Sequence, residues 1–311
     1  MEKIAIIGSG LIGRAWAMVF ARAGHPVKLY DNAPGAAQKA LSLIEDGLRE
    51  LKQFGLIEEA PAAVARRVTA ADSLADAVGD ADYVQENTSE NLEIKREVFA
   101  RMDEVAPARC VLASSTSTIQ TSRFSEGLQG KARCIVAHPV NPPHVVPIVE
   151  ISPAPWTSKE VVDRTRALQE KVGQVPITVV KEVEGFILNR LQAALLLESW
   201  RLVKEGYVSV EDLDKTIRDG LGLRWAFMGP FETIDLNAPG GIPDYAQRYG
   251  TKMYGMMKDV DIEPWDDALI RKVEAERRKL MPQDQHAERE AWRDRRLMAL
   301  IAHKRKMEAQ D

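Results

Sequence analysis

The stretch Lys3-Ile4-Ala5-Ile6-Ile7-Gly8-Ser9-Gly10-Leu11-Ile12-Gly13, with Asp31 a further 18 residues along, decides the fold. Ile4 to Ile7 is a short run without polar residues, the kind that is buried on both faces of a parallel sheet. Three glycines follow at GxGxxG spacing. Leu11, Ile12, Ala15, Trp16, Val19 and Phe20 then recur at helical spacing until Gly24 closes the segment. Val27 to Tyr30 reads as a second strand ending in Asp31. Strand, glycine turn, helix and strand make a βαβ unit, and each marked residue has a reason to be there. Gly8 permits the tight turn, Gly10 lets backbone amides approach a pyrophosphate on the helix N-terminus, and Gly13 lets helix pack on strand. Leu11 and Ile12 complete the cofactor-binding turn. Asp31 is placed to accept hydrogen bonds from ribose hydroxyls, its charge repels a 2'-phosphate, and Asn32 and Ala33 offer no cation, so NAD is favoured over NADP.

Outward from that unit, the pattern continues as a doubly wound α/β sheet. Residues 35–56 carry Leu41, Ile44, Leu48 and Leu51 at helical spacing. Val68-Thr69, Ala81 to Val84, Cys110 to Ala113, Cys134 to Ala137, Pro147 to Ile151 and Val175 to Val180 read as strands, with helices over Glu90 to Asp103 and Ser158 to Gly173. Beyond a boundary near Glu182 the chain turns helical. The expected domains are a Rossmann-type NAD-binding domain over 1–182 and an all-α substrate-binding and dimerisation domain over 183–311. Glu184 to Gly206 is apolar nearly all round, so its helix demands cover on every side, in part from a partner subunit. Val210 to Asp219 reads as a helix, Leu221 to Trp225 as a loop, and Gly229-Pro230 as the start of another helix.

Composition narrows the class. At 311 residues and a net charge of -4, nothing global points to nucleic acid or an anionic membrane. The last stretch, 267–311, mixes 12 Lys or Arg with 9 Asp or Glu, a pattern of solvated helix faces rather than a basic tail. Cys110 and Cys134 sit inside apolar runs with no metal or redox spacing, and the chain has no apolar leader or span. A cytoplasmic protein with buried, inert thiols is expected. The five histidines do not cluster, so no metal site is expected, and His25, His286 and His303 read as surface residues.

His138 is different. It ends the run Cys134-Ile135-Val136-Ala137, and Pro139, Pro142 and Pro143 keep the chain beyond it extended. In a doubly wound sheet the loops after the strands share one edge, so His138, the hydroxyl-rich turn Ser114 to Thr118 and the glycine turn line one crevice. Glu150 lies in a strand able to return beside the first. A carboxylate on one imidazole nitrogen fixes the tautomer and frees the other nitrogen as a general base, which is what hydride transfer from a secondary alcohol requires.

Taken together, His138-Pro139-Val140-Asn141-Pro142 with Glu150, Ser117 in its hydroxyl run, Glu90-Asn91-Leu92 with Lys95, and Gly185-Phe186-Ile187-Leu188-Asn189-Arg190 resemble the motifs of the 3-hydroxyacyl-CoA dehydrogenase family in order and spacing. The resemblance spans about residues 3–250. It implies that His138 is the base and Glu150 its partner, with Ser117 and Asn189 around the reacting oxygen. It also implies that Glu90 and Lys95 line the cofactor groove and that Asn141 lies near the nicotinamide. Ser199-Trp200-Arg201-Leu202-Val203 and Gly220 to Pro230 look most like the branch of that family that oxidises L-gulonate at C3. Where the thioester enzymes have a small, apolar approach, this chain has Arg224 and Trp225, and a guanidinium suits a free carboxylate. The expected activity is NAD-dependent oxidation of a small 3-hydroxy acid, first L-gulonate, by a homodimer. The alternatives are L-carnitine, 3-hydroxybutyrate or a 3-hydroxyacyl-CoA as substrate, or an NAD-binding structural protein without turnover.

Overall fold

The computed structural model describes residues 1–258, 260 and 263–309. Gln310 and Asp311, the end of the charged stretch 267–311, lie outside the described residues.

Eight strands form one sheet: β1 Ile4–Ile7, β2 Val27–Tyr30, β3 Val68–Ala70, β4 Tyr83–Glu86, β5 Val111–Ser114, β6 Cys134–Pro139, β7 Ile148–Pro153 and β8 Val175–Thr178. Their order is β3-β2-β1-β4-β5-β6-β7-β8. The strands from β3 to β6 are parallel, β7 runs antiparallel to β6, and β8 is parallel to β7. All four residues of β1, β4 and β5 are buried, as expected for strands covered by helices on both faces. On one face the core gathers Trp16, Phe20, Ile44, Leu48 and Leu51 against Ile4, Ile6 and Leu29; on the other, Phe99, Met102, Phe124 and Phe186 pack against Ala5, Ile7, Val84 and Leu112.

The order in which strands are added reverses at β1, where β2 and β4 lie on opposite sides of it, and this is the topological switch point at which such sheets bind ligands. Gly8 there has φ 95°, and a Cβ on it would lie 2.7 Å from the Asn87 carbonyl oxygen. A Cβ on Gly13 would lie 1.9 Å from the Gly8 carbonyl oxygen, so the helix Leu11–Arg22 approaches the turn closely only because this position is bare.

The chain divides into two compact units, residues 1–190 with 290–311 and residues 191–289. The first therefore takes in most of the last helix, His286–Glu308, whose Met298 is buried in the first core with Leu297, Ile301 and Ala302 against it. That helix is not solvated all round, as its charge pattern led one to expect. The second unit is helical, and Leu221 to Trp225, expected as a loop, continues a helical run that starts at Val210. Among its described residues only Val203, Val210, Thr233, Ala238 and Leu269 are buried. The helix Leu188–Lys204 leaves Leu191 64% and Leu196 38% exposed. The cover its composition demands is not supplied within that unit. No helix among the described residues is long and apolar enough to cross a membrane.

Candidate active site

The glycine turn gives the dinucleotide its place. Gly10 caps the helix Leu11–Arg22 without a side-chain hydrogen bond, so the first amides keep their donors for an anion, and Leu11 is exposed at this end. Asp31 is tied in from the end of β2: the Ser9 amide and hydroxyl both donate to Oδ2 at 2.7 Å, and the Ala33 amide donates to Oδ1 at 3.0 Å. Burial pushes the Asp31 carboxyl up, but those bonds outweigh it and its pKa is lowered, so it is an anion wherever a ribose is bound at neutral pH. Bare glycines, open amides and a fixed carboxylate fit NAD.

His138 and Glu150 face each other directly across the β6–β7 ladder. Residues in register share one side of a sheet, so the antiparallel return of β7 brings imidazole and carboxylate together. His138 Nδ1 lies 2.8 Å from Glu150 Oε2, with both residues buried. Glu150 Oε1 accepts from the Ile187 amide at 2.8 Å and the Leu188 amide at 2.9 Å. Burial raises the Glu150 carboxyl, yet the bonds from His138, Leu188 and Ile187 outweigh it, and the net shift is downward. The carboxylate is thus held ionised against the imidazole, and Nε2 has no partner among the described residues.

The two amides reach Glu150 because the backbone turns sharply before them. Gly185 has φ 74° and Phe186 φ 51°, the one described non-glycine residue in the left-handed region. Phe186 is fully buried, with its ring 5.4 Å from that of His138. Sequence reasoning found this segment as a motif but missed these roles; the Gly-Phe pair before a helix was the available signal.

Ser117 and Asn189 are brought together: the Asn189 side-chain amide donates to the Ser117 carbonyl oxygen at 2.8 Å. Glu90 secures the same turn, its Oε1 accepting from the Thr116 hydroxyl at 2.7 Å and from the Ser117 and Thr118 amides at 3.0 and 2.9 Å. Partial desolvation would raise the Glu90 carboxyl, but Thr116, Lys95 and Thr118 bring its pKa down. Lys95 does not present its ammonium to the groove: it is 1% exposed and sits 3.0 Å from both oxygens of fully buried Glu86. Glu86 also accepts from the Ser114 hydroxyl at 2.6 Å and the Thr88 amide at 2.6 Å, so the ion pair has the extra partners that burial requires. Sequence reading gave Glu86 no role. Its position as a carboxylate at the carboxyl end of β4 was the signal.

Three residues stand apart. Asn141 is exposed in the turn after β6, and Arg224 is exposed in the helical turn Gly222–Trp225 of the second unit. His25, expected at the surface, is 1% exposed, with Nδ1 close to the Glu2 amide and carbonyl. Both cysteines are buried and their thiols pushed up to about 12, so neither is a nucleophile at neutral pH. Among the described residues no group of His, Cys, Asp and Glu is arranged to hold a metal ion.

Comparison with known proteins identifies the family. Residues 3–183 match the 3-hydroxyacyl-CoA dehydrogenase NAD binding domain, and residues 185–277 match the C-terminal domain of the same family. Lambda-crystallin of Oryctolagus cuniculus is 44% identical over 99% of this chain and 98% of its own length. An L-carnitine dehydrogenase of Oceanobacillus iheyensis is 39% identical over 76% of each chain. Among solved structures, an NAD+-dependent dehydrogenase of 5-formyl-3-hydroxy-2-methylpyridine 4-carboxylic acid superposes with a TM-score of 0.84 at 29% identity, over 99% of both chains. With both domains matched and a full-length relative at this identity, the chain belongs to the 3-hydroxyacyl-CoA dehydrogenase family and is an NAD-dependent dehydrogenase of a 3-hydroxy substrate.

Proposed function

We propose that the substrate is a small free 3-hydroxy acid, L-gulonate first, oxidised to the 3-keto acid with His138 as general base. The observation that carries the reading is the His138–Glu150 pair at 2.8 Å, whose carboxylate is fixed on its far side by two amides. Glu150 accepts a hydrogen bond from Nδ1–H, which leaves the Nε2 lone pair to take the hydroxyl proton of the substrate. The negative charge beside the ring stabilises the imidazolium that forms. Bound NAD supplies the hydride acceptor. Gly8, Gly10, Gly13, the first amides of the helix at Leu11 and Ile12, and Asp31 hold it, with Asn141 toward the nicotinamide end. Glu90 and Asn189 shape the turn that carries Ser117, whose hydroxyl is assigned to the reacting oxygen, as is the Asn189 amide. Buried Lys95 acts from behind, near Glu90, and not by touching the cofactor.

Arg224 is assigned to the substrate carboxylate. It has no ion-pair partner among the described residues, and a guanidinium binds a carboxylate through two parallel hydrogen bonds. Two of the similar proteins act on compounds that carry a free carboxylate, L-carnitine and a pyridine carboxylic acid, which supports an acid over a thioester. L-Carnitine is the second reading, favoured by the exposed aromatic rings Trp225 and Phe227 beside Arg224, which suit a quaternary ammonium. The uncovered apolar surface of the second unit, including Leu191, Leu223, Phe231 and Leu236, is assigned to a second copy of the chain. The test of the base is His138→Ala. Turnover is expected to fall by about 10²- to 10⁴-fold with NAD affinity retained. A folded variant with wild-type turnover would sink the assignment.

A further inference from the structure

Far along the same helix from the glycine turn, Arg22 occupies an unusual position. It lies in the last turn of Leu11–Arg22, and its guanidinium donates one hydrogen bond, to the His144 carbonyl oxygen at 2.8 Å. Burial first, and the neighbouring charge of Arg305 second, lower its pKa to about 10. Arg305 comes from the C-terminal helix and, among the described residues, its guanidinium donates only a long bond, 3.4 Å, to the Leu56 carbonyl oxygen. Both arginines, with Lys171, line a cavity of about 420 Å³. Among the described residues neither guanidinium has a carboxylate within ion-pair distance. The two acids on the rim do not change this: Glu59 is committed to Arg67 at 2.5 Å, and Glu58 is exposed.

A desolvated cation beside a second cation is costly, and proteins ordinarily relieve it with an acid. The negative end of the helix dipole stabilises Arg22, but that accounts for one cation, not for two facing one cavity. We propose that Arg22 and Arg305 form a site for a phosphate group, either the free ion or the ester of a small metabolite, with Lys171 at its mouth. A phosphate has the oxygens to engage two guanidinium forks at once, and the cavity has room for a small ester beyond the phosphoryl group. Because one fork belongs to the C-terminal helix, occupancy would pin that helix to the sheet unit. This site is separate from the hydride-transfer residues and does not depend on their assignment.

The test is thermal unfolding of the full chain in inorganic phosphate and in glycerol 3-phosphate, each against sodium chloride at matched ionic strength. At ten times the dissociation constant, phosphate should raise Tm by about 3 °C. A larger shift with one of the two probes supports the site and names the source. In Arg305→Gln the shift should be lost, while in chloride this variant should melt no lower than wild type, because removing one cation relieves the other. A merely structural Arg305 would instead lower Tm in chloride. Arg22→Lys keeps the charge but not the fork, and should lose most of the phosphate shift with NAD binding unchanged. No shift in wild type, or an equal shift in wild type and both variants, overturns the proposal.

Discussion

Replacing Glu150 by Gln tests the proposed catalytic pair with almost no change of shape. Glu150 offers two oxygens, one to His138 Nδ1 and the other to the Ile187 and Leu188 amides. A glutamine has one oxygen and one NH2 group. The two backbone donors at 2.8 and 2.9 Å outbid the single imidazole, so the amide oxygen stays with them and the NH2 group faces Nδ1. Nδ1 must then accept, the ring proton moves to Nε2, and the base is lost without moving an atom of the ring. Wrong-tautomer substitutions of this kind cost about 10⁴-fold in kcat in a hydrolase where an Asp orients the histidine, so about 10³- to 10⁴-fold is expected here. Stability should fall by only about 1–3 kcal/mol, the loss of one charge-assisted bond. The assay is NADH formation at saturating NAD and substrate, with Tm and NAD affinity measured on the same preparation. A folded Glu150→Gln protein that turns over within about threefold of wild type refutes the tautomer argument.

Two further outcomes follow from other parts of the molecule. Arg224→Gln should raise KM for a free hydroxy acid by about 10- to 100-fold, the value of a charge-assisted pair, and leave KM for a thioester unchanged; equal effects on both would remove Arg224 from the carboxylate. His144 is held neutral, its pKa lowered to about 4 by burial and by Arg22. The unfolded chain binds that proton near pH 6.5, so stability is full above pH 6.5, falls as pH drops toward 4, and changes no further below. The ceiling of this contribution is about 3 kcal/mol. Tm of His144→Gln should therefore decline less between pH 7 and 4.5 than that of wild type, and parallel declines would contradict the cause.

How much of this was legible depends on how local the cause is. The β1, glycine turn and helix unit could be read because its signals are adjacent in sequence and its geometry leaves no choice: a Cβ on Gly13 would lie 1.9 Å from the Gly8 carbonyl oxygen. The return of Glu150 to His138 was legible for a related reason: the connection between the two short apolar runs is too short for a parallel crossover. The Lys95–Glu86 pair was not, since the resemblance put Lys95 on the cofactor groove and no local pattern marks a tertiary ion pair. Nor were the Ile187 and Leu188 amides, because backbone donors leave no mark in a sequence. The C-terminal helix was misread for the opposite reason: its apolar stripe at Leu297, Met298 and Ile301 is short and outnumbered by charges. His25 was misplaced because a turn residue was assumed to face water, whereas its ring is buried against the backbone of Glu2.

The central claim is that this His–Glu pair serves a free hydroxy acid. The direct measurement is kcat/KM for NADH formation by the wild-type protein on L-gulonate, L-carnitine, 3-hydroxybutyrate and 3-hydroxybutyryl-CoA at matched concentrations, because that ratio measures discrimination in the transition state. The account predicts that L-gulonate is oxidised best and the thioester at least tenfold less well. A thioester preferred over every free acid, or NAD binding without oxidation of any compound in the panel, would contradict it.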